Sequence, residues 1–189
     1  MKNKHFYAYK FIFFISISYI NQAQEIDFDD FSLGFAVQSY ETNSDLEKYW
    51  SAGLGAGIAV KYKVRKNLYL EGNLILSKFS SNNMEFADFI LVSAPAGIHY
   101  KFFPEKNFNS GIFFGLENNS FIFTGEASDK ISENDIESEF GIFGGISFSF
   151  LISSKIETEA FYKIQNIFSS PEELVIQNIG LKIFFRNLF

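Results

Sequence analysis

The sequence predicts an all-β fold, an eight-stranded antiparallel up-and-down barrel that crosses a membrane and follows a cleavable signal peptide. Three observations predict it. The N-terminus is basic and then apolar. In most of the remaining chain, apolar residues alternate with small or polar ones at a period of two. The connections between these segments are alternately short and long. Of 189 residues, 47% are hydrophobic and 19% aromatic, far more than a disordered chain carries.

The first 24 residues have the three parts of a secretory signal peptide. Lys2, Lys4 and Lys10 precede the apolar run 11–20, which is followed by a short polar stretch. The run is too short for a membrane helix, which needs about 20 residues. Cleavage is expected after Ala23, and no cysteine is present for lipidation. The expected organisation is a signal peptide over 1–23, a periplasmic N-terminal segment over 24–30 and the barrel domain over 31–189.

Strict alternation identifies the strands. Small and bulky residues alternate in the segment that contains Gly53, Gly55 and Gly57 on one face and Leu54 and Ile58 on the other. Such a period of two is typical of strands with two different faces. Strands are predicted at 31–40, 50–62, 68–79, 89–102, 108–119, 139–150, 156–167 and 175–186.

The composition of the two faces predicts their orientation. A soluble sandwich or lipocalin-like barrel would turn the bulky face inward, whereas a transmembrane barrel turns it toward lipid. The opposite face carries glycine, alanine, serine and isolated charges, which suit a narrow lumen better than a solvent-exposed surface. We therefore expect a membrane barrel, with the soluble barrel as the alternative.

The connections and the aromatic residues fit this barrel. Short turns are predicted at 63–67, 103–107 and 151–155, an intermediate connection at 168–174, and longer loops at 41–49, 80–88 and 120–138. Pro95 should mark a bulge or a local irregularity, because proline lacks a ladder donor. Aromatic girdles at the two membrane interfaces are expected from Tyr40, Tyr49 and Trp50 at one end, and from Tyr62, Tyr100, Phe102, Phe103, Phe184 and Phe185 at the other.

Composition excludes several functions. A net charge of −6 and a pI near 5.0 argue against a nucleic-acid partner, which requires a basic surface. There is no cysteine, and of the two histidines His5 lies in the signal peptide, which leaves His99. We expect no metal site and no cofactor.

Charged residues on the small face predict a network inside the barrel. Antiparallel pairing places Glu71 near His99 and Glu159 near Lys182. Because an unpaired charge in a narrow lumen costs several kcal/mol, acids and bases should neutralise one another. A salt-bridged plug is the favoured interpretation, with a gated pore or proton path as the alternative. The candidate network comprises Lys61, Glu71, His99, Lys101, Glu157, Glu159, Lys163 and Lys182.

Two further hypotheses concern enzymatic activity and the acidic segment 126–139. Some outer-membrane barrels modify lipid A with a histidine, a serine and an acid. In this sequence no serine is clearly placed as a nucleophile beside His99 and Glu71. We therefore expect no enzymatic activity. The acidic segment is interpreted as a solvated external loop. Cation bridging to lipopolysaccharide and docking of a partner are its alternatives.

Several motifs resemble a known family. The segment Phe89–Phe102 (FILVSAPAGIHYKF), the strand Glu157–Tyr162 and the closing segment Gly180–Phe185 are similar to the outer-membrane β-barrel family of Bacteroidota, often labelled PorT-like. A signal peptide ending in Ala-Gln is also common in that family. The final Phe189 separately resembles the terminal aromatic residue that barrel-assembly machinery reads in outer-membrane proteins. The resemblance implies an OmpA/OmpX-type eight-stranded barrel in a Gram-negative outer membrane. Most members have no assigned activity, and one branch belongs to a secretion apparatus.

The sequence thus predicts a non-enzymatic outer-membrane protein with a structural or interaction role in the cell envelope. Its expected partners are outer-membrane lipids, lipopolysaccharide and other outer-membrane proteins. The alternatives are an accessory subunit of a secretion or assembly complex and a lipid A-modifying enzyme.

Overall fold

Eight antiparallel strands form a closed barrel in the computed structural model, which describes residues 30–42, 49–51, 53–82, 87–124, 136–168 and 174–186. Each strand pairs with the next in the chain, and the last pairs with the first. In the described part of the chain, no helix is long and apolar enough to cross a membrane. The strands are β1 (Phe31–Thr42), β2 (Leu54–Arg65), β3 (Leu68–Phe79), β4 (Asp88–Lys101), β5 (Phe108–Thr124), β6 (Ile136–Ser153), β7 (Ile156–Ile167) and β8 (Leu174–Arg186).

The connections divide the barrel into two ends. Short turns at 66–67, 102–107 and 154–155 lie at one end, together with the start of β1 and the end of β8. We call this the turn end and the opposite one the loop end. The predicted signal peptide and most of the predicted acidic loop lie outside the described residues.

All eight predicted strands are confirmed, and the largest departures are at the loop end. There β5 and β6 are longer than predicted, because their pairing continues as far as Ile122 and Ile136. From the sequence, 120–138 is predicted to be a long polar loop, which ends β5 at residue 119 and begins β6 at residue 139. Conversely, β2 begins at Leu54 rather than at residue 50, and Trp50 forms an isolated bridge with Ser81.

The bulky face of the sheet points outward. Leu54, Ile58, Leu74 and Ile146 are 73%, 49%, 46% and 47% exposed, respectively. They belong to a continuous apolar belt around the barrel, as expected for a surface that contacts acyl chains. The alternative of a soluble barrel with these side chains inside is therefore wrong.

Glycines on the inner face make room for aromatic rings in the lumen. A Cβ added at Gly145 would lie 2.4 Å from the ring of Phe113, and one at Gly180 would lie 2.6 Å from the ring of Phe161. Neither distance is compatible with a side chain. Each ring thus occupies space that a glycine on a neighbouring strand leaves open.

Pro95 interrupts one ladder without shifting it. The β3–β4 pairing lacks the pairs between Gly72–Ala96 and Ile75–Ser93, but the register is the same on both sides of the gap. On the other side, Pro95 pairs with Glu117. Of the two predicted outcomes, the structure shows the local irregularity and not a bulge.

Two of the predicted girdle aromatics are placed wrongly, and a third, Trp50, packs against buried side chains at the loop end. Tyr40 and Phe184 are fully buried in the lumen, because they share the inner face of their strands with Gln38 and Lys182. The exposed aromatics at the turn end include Tyr100, Phe102, Phe103 and Phe108, and Tyr49 is exposed at the loop end.

Candidate functional site in the lumen

The eight residues of the predicted network all face the lumen. They come from five strands, because each lies at an inward position of its own alternation: Lys61 on β2, Glu71 on β3, His99 and Lys101 on β4, Glu157, Glu159 and Lys163 on β7, and Lys182 on β8. Together they fill the turn-end half of the lumen.

Two buried carboxylates form the centre of this lumen network. Lys61 Nζ donates to Glu159 at 2.7 Å, and Lys182 Nζ donates to the other oxygen of Glu159 at 3.1 Å. Lys182 also donates to Glu71. Glu159 and Lys182 are directly opposite each other on β7 and β8. Each central carboxylate is thereby in contact with more than one ammonium group.

The network continues toward the turn end through Glu157. This carboxylate accepts hydrogen bonds from Lys61 at 3.2 Å and from Lys101. Lys101 is 3% exposed even though it is the last residue of β4. The ion pairs therefore reach the turn-end mouth.

Aromatic rings complete the surroundings of the lysines. The ammonium group of Lys61 lies 3.9 Å from the ring centroid of Phe184, and that of Lys182 lies 4.5 Å from that of Phe161. Such cation–π contacts favour an ammonium group where water is scarce. The sequence-based prediction of a lumen with small and charged residues omitted these rings.

His99 links three strands. Its Nδ1 lies 3.1 Å from Glu71 Oε2, and its Nε2 lies 2.8 Å from Ser147 Oγ. His99 pairs with Tyr69 in the β3–β4 ladder rather than with Glu71, but the side chains meet along the face. The histidine is fully buried, and both of its ring nitrogens have a partner.

Glu117 was missed by the sequence analysis. Its Oε2 accepts a hydrogen bond from Lys163 at 3.0 Å, and both side chains are buried. With Glu117 included, four carboxylates face four lysines in the described lumen, where the sequence analysis had left one lysine in excess. The sequence contained enough information to assign it. Leu116 points outward, so the next residue in the strand, Glu117, points into the lumen.

Ser147 was also missed as a partner of His99. Ser147, His99 and Glu71 have the hydrogen-bonding order of a Ser–His–acid triad. However, Ser147 is 2% exposed and His99 is 0% exposed. Nucleophilic catalysis requires a substrate atom within reach of the hydroxyl, and this burial leaves no such access. Lys182 in addition shares the carboxylate of Glu71.

The same residues are poorly suited to binding a metal ion. Glu71, His99 and Glu159 offer ligand atoms that lie within 4.8 Å of one another. Both carboxylates, however, already accept hydrogen bonds from Lys182. A cation would have to displace ammonium groups, so the donor set fits an ion-pair network better than a metal centre.

A second layer closes the loop-end half of the lumen. Above the charges, Tyr40 Oη receives a hydrogen bond from Ser77 Oγ at 3.0 Å and another from Gln38. Beyond this polar level, apolar side chains from six strands pack together. This apolar plug consists of Tyr40, Phe79, Phe89, Leu91, Ile167 and Ile176, with Trp50, Phe121, Phe123 and Leu174 against it.

The closed barrel and its apolar belt define a transmembrane β-barrel of the outer-membrane type, and the protein is located in the outer membrane. No family model and no curated protein matches the chain. Solved structures of outer-membrane barrels do match it.

Three of these structures show the likeness. Neisserial surface protein A has a TM-score of 0.65 at 13% identity, over 83% of this chain and 97% of that one. OprG of Pseudomonas aeruginosa has a TM-score of 0.56 at 12% identity, over 82% and 95%. Ail, the attachment invasion locus protein of Yersinia pestis, has a TM-score of 0.52 at 13% identity, over 82% and 95%. At these identities the likeness concerns the fold.

Proposed function

We propose that the protein is a closed, non-conducting outer-membrane barrel with a structural or interaction role in the cell envelope. One observation carries the proposal: the lumen is filled by two consecutive layers, the ion-pair network and the apolar plug. Short turns face the periplasm in barrels of this type, which places the loop end outside the cell.

The two layers oppose conduction for different reasons. In the network, each ammonium group is held by buried carboxylates, and an ion passing through would have to break these contacts. In the plug, apolar side chains offer nothing to replace an ion's hydration shell. An eight-stranded barrel also leaves little space once its interior side chains are in place.

A planar-bilayer recording tests this proposal. The purified full chain should insert without steady conductance at moderate voltage. A porin recorded in the same bilayers controls for the sensitivity of the assay, and the double variant F79A/L91A should also stay closed, because the ion-pair network is intact. Steady single-channel conductance of the unaltered protein would contradict the closed barrel.

The interaction role requires a partner to be identified. Purification from membranes in mild detergent, with identification of co-purifying proteins, tests it and also the alternative of a secretion or assembly subunit. Deletion of 127–137 tests the acidic loop, since an unchanged set of partners would exclude this loop as the docking element. Kinship with the Bacteroidota PorT-like family and the signal peptide over 1–23 are part of the same proposal. N-terminal sequencing of the exported protein checks the cleavage site.

A further inference from the structure

An apolar groove of about 540 Å³ lies on the outer wall, where β7, β8, β1 and β2 are neighbours. Val37, Leu54, Ile179 and Leu181 project beside it, and all four are more than half exposed. Ala160, the outward residue paired with Leu181, leaves the groove open where its neighbours are large. The groove is shallow and open to the surroundings of the barrel, so it suits a chain lying along the surface rather than an enclosed small molecule.

The groove belongs to the loop-end half of the belt. Leu54 is the first residue of β2 and pairs with Ser39, which pairs on its other side with Ile179. The Ala160–Leu181 pair lies deeper in the belt. The groove is thus continuous with the lipid-facing surface and extends from the outer interface toward the middle of the membrane.

A basic residue lies next to the groove, one strand beyond its Leu54 wall. Lys78 is exposed and lies directly opposite Leu54 across the β2–β3 ladder. Side chains in such a pair are about 5 Å apart at Cβ. Lys78 lies on the same outward face of β3 as Leu74 and Leu76. An ammonium group therefore lies beside Leu54, one strand outside the apolar groove and near its loop-end edge, an arrangement that complements a phosphorylated lipid.

We propose that this face binds one lipopolysaccharide molecule, with an acyl chain of its lipid A in the groove and a lipid A phosphate beside Lys78. Lipopolysaccharide is the phosphorylated lipid of the outer leaflet, which the loop-end half of the belt contacts. Glu41 lies beyond Ser39 on β1, so the phosphate binds on the β2–β3 side, away from this carboxylate. The inference rests on the proposed orientation with the loop end outside.

Two variants and two matched controls test the proposal. A160F fills the groove, and K78Q removes the ammonium group. A94F adds the same ring at an exposed outward alanine on β4, away from the groove, and K155Q removes an exposed lysine at the turn end. Each protein is placed in phosphatidylcholine nanodiscs that contain either diphosphoryl lipid A or phosphatidylglycerol. Lipids retained after mild detergent extraction are counted by native mass spectrometry.

The wild type, A94F and K155Q should retain one lipid A, and A160F should lose it. K78Q should retain about five-fold less, as expected for one lysine at a charged interface. Equal retention of lipid A by A160F and A94F would overturn the proposal, as would equal retention of phosphatidylglycerol and lipid A by the wild type. Heat-modifiable gel migration of every variant separates these outcomes from failure of the barrel fold itself.

Discussion

The ion pair between Glu117 and Lys163 offers the sharpest test of the lumen network. The variant E117Q preserves the shape of the side chain but removes its charge, leaving the Lys163 ammonium group buried without its carboxylate. The two side chains are 0% and 4% exposed, and the bond is 3.0 Å long. At this distance the attraction is about 5 kcal/mol for an effective dielectric constant of about 20. Because breaking a buried pair leaves an uncompensated charge, unfolding should become easier by about 3–5 kcal/mol.

Restoring neutrality should recover most of this loss. The double variant E117Q/K163M removes both charges and places an apolar chain of similar length in the lumen, which is often neutral or stabilising. The control is E105Q at the turn end. Lys66 Nζ lies 2.6 Å from Glu105 and lowers the pKa of that carboxyl by hydrogen bonding and charge, but the pair is solvated. No measurable change in stability is expected there.

Urea unfolding in lipid vesicles measures these free energies, with the fluorescence of Trp50, the single tryptophan, and heat-modifiable gel migration as independent signals. Comparison of the single variants E117Q and K163M with the double variant gives the coupling energy of the pair. The reasoning would be refuted if E117Q were as stable as E105Q, or if the double variant were no more stable than E117Q.

Three other predictions follow from the same contacts. G145A should destabilise the barrel by about 1–3 kcal/mol, because the new Cβ has no room. The control G144A, on the outward face, should be neutral, because the nearest atom to its Cβ would be 3.8 Å away. Urea unfolding compares the two variants. Ser147 should remain unlabelled by a fluorophosphonate probe in the folded barrel, and labelling that disappears in S147A would establish a reactive serine. Lipid A from cells with and without the protein should have the same mass spectrum, and a lost acyl chain would contradict the proposed non-enzymatic role.

Much of the fold could be predicted because side chains alternate along a strand. The parity of a residue, meaning its even or odd position in the strand, decides whether its side chain faces lipid or the lumen. Leu54 and Ile58 share a parity in β2, and the glycines between them have the other. The same rule placed the lysines and carboxylates of the network inside. It failed for Tyr40 and Phe184, where an aromatic residue near a strand end was assigned to a girdle although its parity points into the lumen.

The contacts between side chains were less predictable, because they depend on the registers of several ladders together. Ser147 reaches His99 only through the β4–β5 and β5–β6 pairings combined, and no single turn length gives that offset. Glu117 lay inside the predicted strand 108–119 but was not assigned to the network, because its partner Lys163 is on β7, two strands away. The apolar plug requires the tilt and stagger of all the strands, which the sequence of any one strand does not contain.

The orientation of the two faces is tested most directly by magnetization transfer from lipid acyl chains to methyl groups. With methyl-labelled isoleucine, leucine and valine in nanodiscs, the account predicts strong cross-peaks from acyl chains to the outward methyl groups of Ile58 and Leu74. It predicts none to the inward Ile75 and Leu91, which are 2% and 0% exposed. The reverse pattern, with lipid contacts at Ile75 and Leu91 and none at Ile58 and Leu74, would contradict it.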